Sequence, residues 1–419
     1  MRLWPSSGLW RHPDFLKLWS AETISQFGSQ ISLLALPLVA IDVLHATAFQ
    51  VAALSVVEFL PFLLVSLPAG VWVDRLRRRP ILVAGDVGRA ALLVSIPIAH
   101  AFDALTLGQL YAVGFFVGIS TVFFDVAYQS YLPSLVERGR LVEGNSKLEI
   151  SRSSAQIGGP GIAGVLVDWL TAPAAVLFDA VSFAGSALFI FGIRKPERTV
   201  HDSATPRRRM REDLSEGLRY VLGHPYLKNI AASTAAFNFF GMLQFALLIV
   251  FARRVLHLSP AAIGLAFMFS NVGPLIAAFS SNRIAGRFGV GPTIIGAAML
   301  GGPMFVLVPF APHGNAALAV LAPAFLVGGF MGVLYNVTQI SLRQAITPER
   351  IQGRMNSVMR FIVWGTIPLG SLTGGVLASA TNLKLALVVG GVGCTLSFLP
   401  VLFSPVREVR EIEPLLADV

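Results

Sequence analysis

The feature that most constrains the fold of this chain is a series of long, continuously apolar runs with almost no charge in them. A helix that crosses the hydrocarbon core of a bilayer needs about 20 apolar residues. The chain contains twelve runs of about that length, at 15–41, 49–73, 80–102, 107–131, 148–170, 173–194, 228–252, 260–282, 290–311, 316–340, 355–379 and 383–404. The sequence therefore predicts an all-α polytopic membrane protein with twelve transmembrane helices.

Composition favours lipid over water as the solvent of these runs. Apolar residues make up 54% of the chain and charged residues 13%, whereas a soluble domain carries about a quarter charged residues. Barrel strands are excluded because the runs do not alternate between apolar and polar positions. The length of the runs and their lack of charge also argue against short soluble core helices.

Lys and Arg residues indicate the orientation, because they concentrate in the cytoplasmic loops of membrane proteins. With a cytoplasmic N-terminus and alternating runs, 29 of the 32 basic residues lie inside, the exceptions being Arg253, Arg254 and Lys384. We therefore expect a protein of the cytoplasmic membrane with both termini in the cytoplasm. The net charge of +9 is then a topology signal, and no polar segment is long enough to form a basic face for nucleic acid.

The chain divides into two halves at its longest polar stretch, residues 194–228, within which 211–222 is predicted to form an amphipathic surface helix. Similar stretches recur at an offset of about 211 residues, such as RLVEGNS at 140–146 with RIQGRMNS at 350–357, and GPGIAGVL at 159–166 with GSLTGGVL at 370–377. Two parallel repeats imply a pseudo-twofold axis along the membrane normal and a cavity between the halves. We predict a six-helix bundle at 1–193, a cytoplasmic linker at 194–227, a second six-helix bundle at 228–405 and a cytoplasmic tail at 406–419.

Catalytic signatures are missing from the sequence. It contains no G-x-x-x-x-G-K-[ST] phosphate loop, no H-E-x-x-H and no G-x-S-x-G, so we expect no enzyme activity, no cofactor and no metal site. Cys394 is the only cysteine, which excludes an intrachain disulfide. The N-terminal residues lack the features of a cleaved signal peptide, and none is expected.

A charged stretch, GVWVDRLRRRP at 70–80, lies between the second and third runs. It matches the G-x-x-x-D-R-x-G-R-R loop of the major facilitator superfamily at Gly70, Asp74, Arg75, Arg78 and Arg79. The chain resembles this superfamily over nearly all of its 419 residues. Further stretches, among them DVGRA at 86–90 and LFDAVSFAGSALF at 177–189, resemble its exporter branch of siderophore, macrolide and drug efflux proteins.

The resemblance implies that this loop is a cytoplasmic gate. Asp74 would then lie against a helix N-terminus or an arginine of the other half; alternatively, it only balances the arginines that set the topology. Arg77 stands where the loop pattern has glycine. In the second copy of the loop, Gly286 and Gly291 replace an aspartate and an arginine, so we expect the first copy to act as the gate.

The fifth run carries a motif of small residues, which let another helix approach closely. Its members are Ala155, Gly159, Ala163 and Gly164, with Pro160 inside the motif favouring a kink. The motif resembles a degenerate copy of the G-P motif of proton-coupled antiporters, with Ser146 and Ala155 in place of glycines. Ordinary helix packing is the alternative.

Acidic residues within the runs are the candidates for proton coupling, because an unpaired charge in the bilayer costs at least about 2–3 kcal/mol. Glu58 and Asp179 have no basic neighbour within a turn of their own helices, which suits reversible protonation. We expect one of them to be the coupling acid, with Glu22 as a third candidate.

Other polar residues within the runs suggest ion pairs and a substrate cavity. Asp86 is expected to pair with Arg89, three residues later, and Asp125 with Arg152 at the adjacent helix end. Glu22, Gln26, Ser29 and Gln30 share one helical face that should line a cavity. In the second half, hydrogen bonds to a bulky substrate are expected from Asn238, Asn271, Asn336 and Gln339.

These observations predict a monomeric secondary active transporter that exports a small amphipathic organic molecule, such as a drug, a siderophore or a secondary metabolite, in exchange for protons. Its expected partners are the lipid bilayer, the substrate and protons. An importer or a lipid-flipping facilitator on the same fold is one alternative. A non-transporting membrane receptor is an alternative of another class.

Overall fold

The computed structural model of the protein describes residues 8–137, 140–195 and 210–411. Helices dominate these residues, and no strand occurs among them. The α-helices of the described residues are, in chain order, α1 (Pro13–Leu38), α2 (Ala48–Arg75), α3 (Arg78–Ala101), α4 (Leu107–Leu135), α5 (Leu141–Trp169), α6 (Ala172–Phe191), α7 (Met210–Gly223), α8 (Pro225–Arg254), α9 (Pro260–Phe288), α10 (Val290–Leu307), α11 (Leu318–Ala345), α12 (Glu349–Ala380), α13 (Leu383–Leu396) and α14 (Leu399–Leu402). A π-helical turn, Val39–Val43, continues α1. Parts of the predicted linker and tail, 196–209 and 412–419, lie outside the described residues.

Eleven helical segments of the described chain are long and apolar enough to cross a membrane. They coincide with eleven of the twelve predicted runs. The remaining run lies in α5, which has 29 residues but carries Glu143, Lys147, Glu149 and Arg152 in its first half. These charges lower the mean hydropathy of α5, while its length still suffices for a span. The prediction of an all-α polytopic membrane protein is confirmed.

Contacts between Cα atoms divide the chain into two compact units. Unit 1 comprises Met1–Thr47, Leu54–Ser203 and Ser259–Met268, and unit 2 comprises Ala48–Ala53, Ala204–Leu258 and Phe269–Val419. In unit 1, α1 packs on α5 and α6, and α3 packs on α4 and α6. In unit 2, α8 packs on α12 and α13, and α10 packs on α11 and α13. The packing of the second set of helices repeats that of the first, as expected of an internal repeat. The predicted domain boundaries remain a prediction, because each unit includes a short segment of α2 or α9 from the other half of the chain.

The turns after α1 and α8 show the repeat in their hydrogen bonds. Each contains a histidine in the left-handed region, His45 with φ 51° and His257 with φ 57°, a conformation that is uncommon for residues other than glycine. In both turns, the amide before the histidine donates to a carbonyl five residues back, and the amide after it donates to one six residues back. The same Val-Leu-His tripeptide, at 43–45 and 255–257, therefore ends both helices in the same way.

The amphipathic helix predicted at 211–222 is present as α7 and packs on α12. Glu216 forms an ion pair with Arg354, and the hydroxyl of Tyr220 donates to the carbonyl of Ile346 at 3.1 Å. Val221 is fully buried in the core of unit 2. Part of α7 is therefore covered by protein at Val221, whereas Leu218 and Leu222 of the same helix remain exposed.

Candidate functional site

A buried arginine on α3 lies at the centre of the charged residues of unit 1. Arg89 forms an ion pair with Asp86, one turn earlier on the same helix, and their exposures are only 4% and 0%. The guanidinium carbon lies 4.3 Å from the ring centroid of Phe124 on α4 and 4.1 Å from that of Phe183 on α6. A planar, delocalised cation stacks well on aromatic faces. Arg89 therefore joins three helices through contacts that cannot be predicted from the sequence alone.

Asp179 on α6 is held by hydroxyl groups and is 1% exposed. Its carboxylate accepts hydrogen bonds from Ser32 on α1 and from Ser182, the latter at 3.1 Å. Gly28 on α1 makes this approach possible, because a Cβ at that position would lie 2.5 Å from a carboxylate oxygen of Asp179. The side chain predicted to be isolated thus has two hydrogen-bond donors, one of them on a neighbouring helix.

Glu22 on α1 is 7% exposed. One carboxylate oxygen accepts a hydrogen bond from the amide of Gln26 at 2.7 Å, and the other has no hydrogen-bond partner among the described residues. Besides its ion pair, Arg89 is near enough for its charge to act on Glu22, Asp125 and Asp179. Four carboxylates from four different helices, the buried Glu22, Asp86 and Asp179 and the exposed Asp125, therefore share the field of one buried cation. We call this group the Arg89 cluster.

The predicted ion pair between Asp125 and Arg152 is not formed. Arg152 pairs with Glu149, one turn earlier on α5, with a nitrogen-to-oxygen distance of 3.9 Å. Both partners are exposed, and a neighbour on the same helix needs less ordering than one on another helix. Arg152 still acts electrostatically on Asp125.

Glu58 lies apart from the Arg89 cluster, on the side of α2 that faces α4. A Cβ at Gly114 of α4 would lie 3.0 Å from Cγ of Glu58, so the two helices meet closely there. The carboxylate is half-buried, and neither a hydrogen bond nor an ion pair joins it to another described residue. The sequence likewise gives Glu58 no basic neighbour within a turn, and its role in proton coupling stays a prediction.

The predicted gate lies at the end of α2 and the start of α3. Gly70, Asp74 and Arg75 belong to α2, and their side chains lie outside the described residues. Arg78 is buried at the first turn of α3. Arg79 donates hydrogen bonds to the carbonyls of Ile190, at 3.3 Å, and Phe191 at the end of α6. A cation is favourable at a helix C-terminus, so Arg79 has a structural partner within its own unit.

The small-residue motif of α5 brings two helices close to it. A Cβ at Gly159 would lie 2.5 Å from Cβ of Gln30 on α1, and one at Gly164 would lie 2.5 Å from the carbonyl oxygen of Pro260 at the start of α9. Ala155 is fully buried. The helix runs unbroken from Leu141 to Trp169 through Pro160. Gln30, predicted to line a cavity, is therefore packed on α5.

Unit 2 contains a cavity of about 380 Å³ among the inner faces of its helices. Its lining comprises Ser233, Thr234, Phe237, Asn238, Ala297, Ala298, Gly301, Gly329, Met331, Gly332, Val333, Tyr335, Asn336, Val363, Trp364 and Ser397. The volume lies within the range of about 300–1,000 Å³ that is usual for small-molecule sites. This cavity is a candidate binding site formed entirely within one unit.

Two of the four polar residues predicted to bind substrate line this cavity, Asn238 and Asn336. Gln339 lies one turn beyond Asn336 and donates a hydrogen bond to its side-chain oxygen at 2.9 Å. Asn271 is on α9 and is not among the lining residues that the structure describes. The sequence thus identified the two asparagines of the site but neither its hydroxyl groups nor its aromatic rings.

Residues that the sequence interpretation missed include Thr234, Tyr335 and Trp364. Thr234 and Asn238 are four residues apart on α8 and therefore share a face, a signal that was available from spacing. The hydroxyls of Thr234 and Tyr335 lie 2.7 Å apart, which joins α8 to α11. No spacing rule predicts that contact, because it depends on how the two helices pack.

Comparison with known proteins places the chain in a family. The sequence model of a family described as transmembrane secretion effector matches residues 7–416. The multidrug efflux pump Tap of Mycolicibacterium fortuitum is 25% identical over 410 residues, covering 93% of this chain and 96% of the pump. The uncharacterized MFS-type transporter YfiS of Bacillus subtilis is 24% identical over 388 residues, covering 90% of this chain and 89% of YfiS.

Solved structures share the fold. A bacterial homologue of the iron transporter ferroportin, in its inward-facing state, superposes with a TM-score of 0.76 at 17% identity, covering 93% of this chain and 98% of that protein. The nucleoside transporter NupG superposes with a TM-score of 0.74 at 11% identity, covering 93% and 99% of the two chains. With its membrane-spanning helices, its repeated packing and a family match over nearly its whole length, this chain belongs to the transmembrane secretion effector family of major facilitator superfamily transporters.

Proposed function

We propose that this transporter exports small amphipathic organic molecules across the cytoplasmic membrane in exchange for protons. Export is supported by the description of its family and by its similarity to a multidrug efflux pump. An amphipathic substrate is supported by the cavity of unit 2, where aromatic and aliphatic walls carry a few amide and hydroxyl groups. Such a lining suits a bulky organic molecule better than a sugar, which needs many hydrogen-bond partners.

The observation that carries proton coupling is the Arg89 cluster. Three buried carboxylates, Glu22, Asp86 and Asp179, near one cation hold an excess of negative charge where the dielectric constant is low, and an excess buried charge is costly. Binding a proton removes part of that excess. Release of the proton inward and its recovery from outside would drive the outward step of the substrate.

The three coupling candidates fall into two structural classes. Asp179 and Glu22 belong to the Arg89 cluster, where a change in charge is felt by the other members. Glu58 is outside it and has no polar partner among the described residues. Helices α8 to α11 of unit 2 supply no further coupling candidate, because the sequence has no Asp or Glu between Glu216 and Glu349.

Flux measurements in proteoliposomes test the coupling. With an imposed pH gradient and radiolabelled chloramphenicol as an amphipathic probe, Asp179→Asn or Glu58→Gln should abolish uphill accumulation and leave downhill exchange intact. Glu22→Gln is the third variant. Asp168→Asn is the matched control, since that carboxylate is exposed near the end of α5. Gradient-driven accumulation that survives in all three single variants and in the triple variant would rule out coupling through these acids.

We also propose that both termini and residues 194–228 are cytoplasmic, and that Asp74 closes a cytoplasmic gate. The first proposal rests on the distribution of Lys and Arg. The second rests on the match of residues 70–79 to the superfamily loop. Arg79, which is bound to the end of α6, would then anchor the gate within unit 1.

A further inference from the structure

The cavity of unit 2 has a lining without charge. All sixteen lining residues are uncharged. No Asp or Glu occurs between Glu216 and Glu349, or between Glu349 and Glu408, so the helices around the cavity carry almost no acidic residue. A cationic ligand would therefore leave water without gaining a counter-charge, and this loss is severe at membrane depth.

The hydrogen-bonding groups of the cavity are only partly used by the protein. The side-chain oxygen of Asn336 accepts from Gln339 at 2.9 Å, and its own two amide hydrogens have no recorded acceptor among the described residues. Asn238 donates one amide hydrogen to the carbonyl of Val363 at 3.2 Å, which leaves its side-chain oxygen as an acceptor. The cavity thus offers at least two donors and one acceptor, all of them neutral.

Aromatic side chains supply the rest of the recognition surface. Phe237, Tyr335 and Trp364 line the same space. Because the hydroxyl of Thr234 donates to the carbonyl of Ile230 at 2.8 Å, it accepts from Tyr335, and the Tyr335 oxygen can accept a further bond. Ring faces at 4.5–7 Å favour an aromatic partner, by about 0.5–1.5 kcal/mol beyond area burial in typical pairs.

We propose that this cavity binds the substrate, and that the substrate class is an uncharged aromatic molecule that carries hydrogen-bond acceptors and a donor. The proposal rests on the proposed export function for the direction of transport, but binding itself requires neither proton coupling nor export. The site is formed within unit 2, and the Arg89 cluster lies within unit 1. In this proposal the substrate therefore binds within unit 2 and the proton within unit 1.

A glycine in the cavity wall allows a decisive variant. A Cβ added to Gly332 on α11 meets no atom within 4 Å, so Gly332→Leu fills the cavity without a backbone clash. Leucine is also the better helix former. Gly296→Leu on α10 is the matched control, because its Cβ also meets no atom within 4 Å and Gly296 does not line the cavity.

Three dansyl compounds separate the effect of charge from that of shape. Dansylamide is neutral, dansylcadaverine carries a positive charge and dansylglycine a negative one. Each is titrated into the purified full-length protein in detergent, and binding is followed by dansyl emission and by energy transfer from tryptophan. We expect dansylamide to bind wild type and Gly296→Leu equally. It should bind Gly332→Leu at least about tenfold more weakly, because the leucine side chain occupies space that the ligand needs.

Two further variants tie the signal to the cavity. Asn336→Ala should weaken dansylamide binding by about 3- to 10-fold, the worth of one hydrogen bond. Trp364→Phe should remove most of the energy transfer while the affinity changes little. Dansylcadaverine should bind at least about tenfold more weakly than dansylamide, because its cation loses solvation without gaining an acidic partner. Dansylglycine should bind more weakly as well, because no lining residue is a cation, and Arg360, 5.1 Å from the ring centroid of Trp364, makes this the stricter of the two comparisons.

Several outcomes overturn the proposal. These are no dansylamide binding to wild type, equal binding to wild type and Gly332→Leu, or binding of either charged analogue as tight as that of dansylamide. None of these results bears on gradient-driven flux in proteoliposomes, so this inference can fail while the proposed function stands. Conversely, if the carboxylate variants lose proton coupling but still bind dansylamide, the binding site proposed here stands.

Discussion

Removal of the Arg89 side-chain charge is the sharpest test of the Arg89 cluster. Arg89→Met keeps an unbranched apolar side chain between Phe124 and Phe183 but leaves Asp86 without its cation. Both members of the pair are buried, at 4% and 0% exposure. Breaking a buried ion pair from one side costs about 3–5 kcal/mol, and each lost cation–π contact adds about 1 kcal/mol. We therefore expect the free energy of unfolding to fall by at least about 5 kcal/mol.

The double variant distinguishes the pair from simple packing. Asp86→Asn together with Arg89→Met removes both charges, and replacing a buried pair by neutral groups is often close to neutral in stability. The double variant should therefore be more stable than Arg89→Met alone by about 2 kcal/mol or more. Arg152→Met serves as a control, because its ion pair is exposed and should contribute less than about 1 kcal/mol.

The assay is the temperature at which half of the monodisperse protein is lost in detergent, measured by size-exclusion chromatography. For a unit of about 200 residues, 1 kcal/mol corresponds to about 2–4 °C, so Arg89→Met should lower this temperature by about 10 °C. The reasoning is refuted if Arg89→Met is as stable as Arg152→Met. It is refuted as well if Asp86→Asn gives no recovery in the double variant, because Asp86 would then not be the group left unpaired.

Three further predictions concern helix packing, the gate and the topology. Gly28→Ala should destabilise the protein by about 1–3 kcal/mol, because its Cβ would lie 2.5 Å from the Asp179 carboxylate, whereas Gly185→Ala on α6, with no atom within 4 Å, should be harmless in the same thermal assay. Asp74→Asn should sharply reduce chloramphenicol flux at normal membrane expression, and full flux would leave the arginines of the loop as a topology signal only. In a chain without Cys394, an impermeant thiol reagent applied to intact cells should label a cysteine at His313 but not one at Ser203, which lies outside the described residues; the reverse pattern would contradict the orientation.

Much of the fold was predictable from the sequence because the constraints of a membrane are local. Each span must be long and apolar in itself, so eleven of the predicted runs reappear directly as spans. The α5 helix was also predicted, although its charges lower its hydropathy. The ion pair of Asp86 with Arg89 was predictable for the same reason, since residues three apart on a helix are neighbours. The equivalent turns at His45 and His257 were readable as a repeated tripeptide, and that signal was overlooked.

The site depended on the tertiary structure wherever its contacts join different helices. Sequence spacing identified Asp179 but not the space that Gly28 leaves for it. Asn238 and Asn336 were identified as polar groups, but their meeting with Trp364 in one cavity was not predicted. Arg152 was assigned to Asp125, whereas a neighbour on its own helix binds it. An apolar pattern specifies that a helix crosses the membrane but does not specify its rotation or its neighbours, because lipid and packed helices satisfy apolar surface almost equally. The rotation and the neighbours of each helix are decided by close packing at small residues and by buried polar contacts, which form only when distant parts of the chain come together.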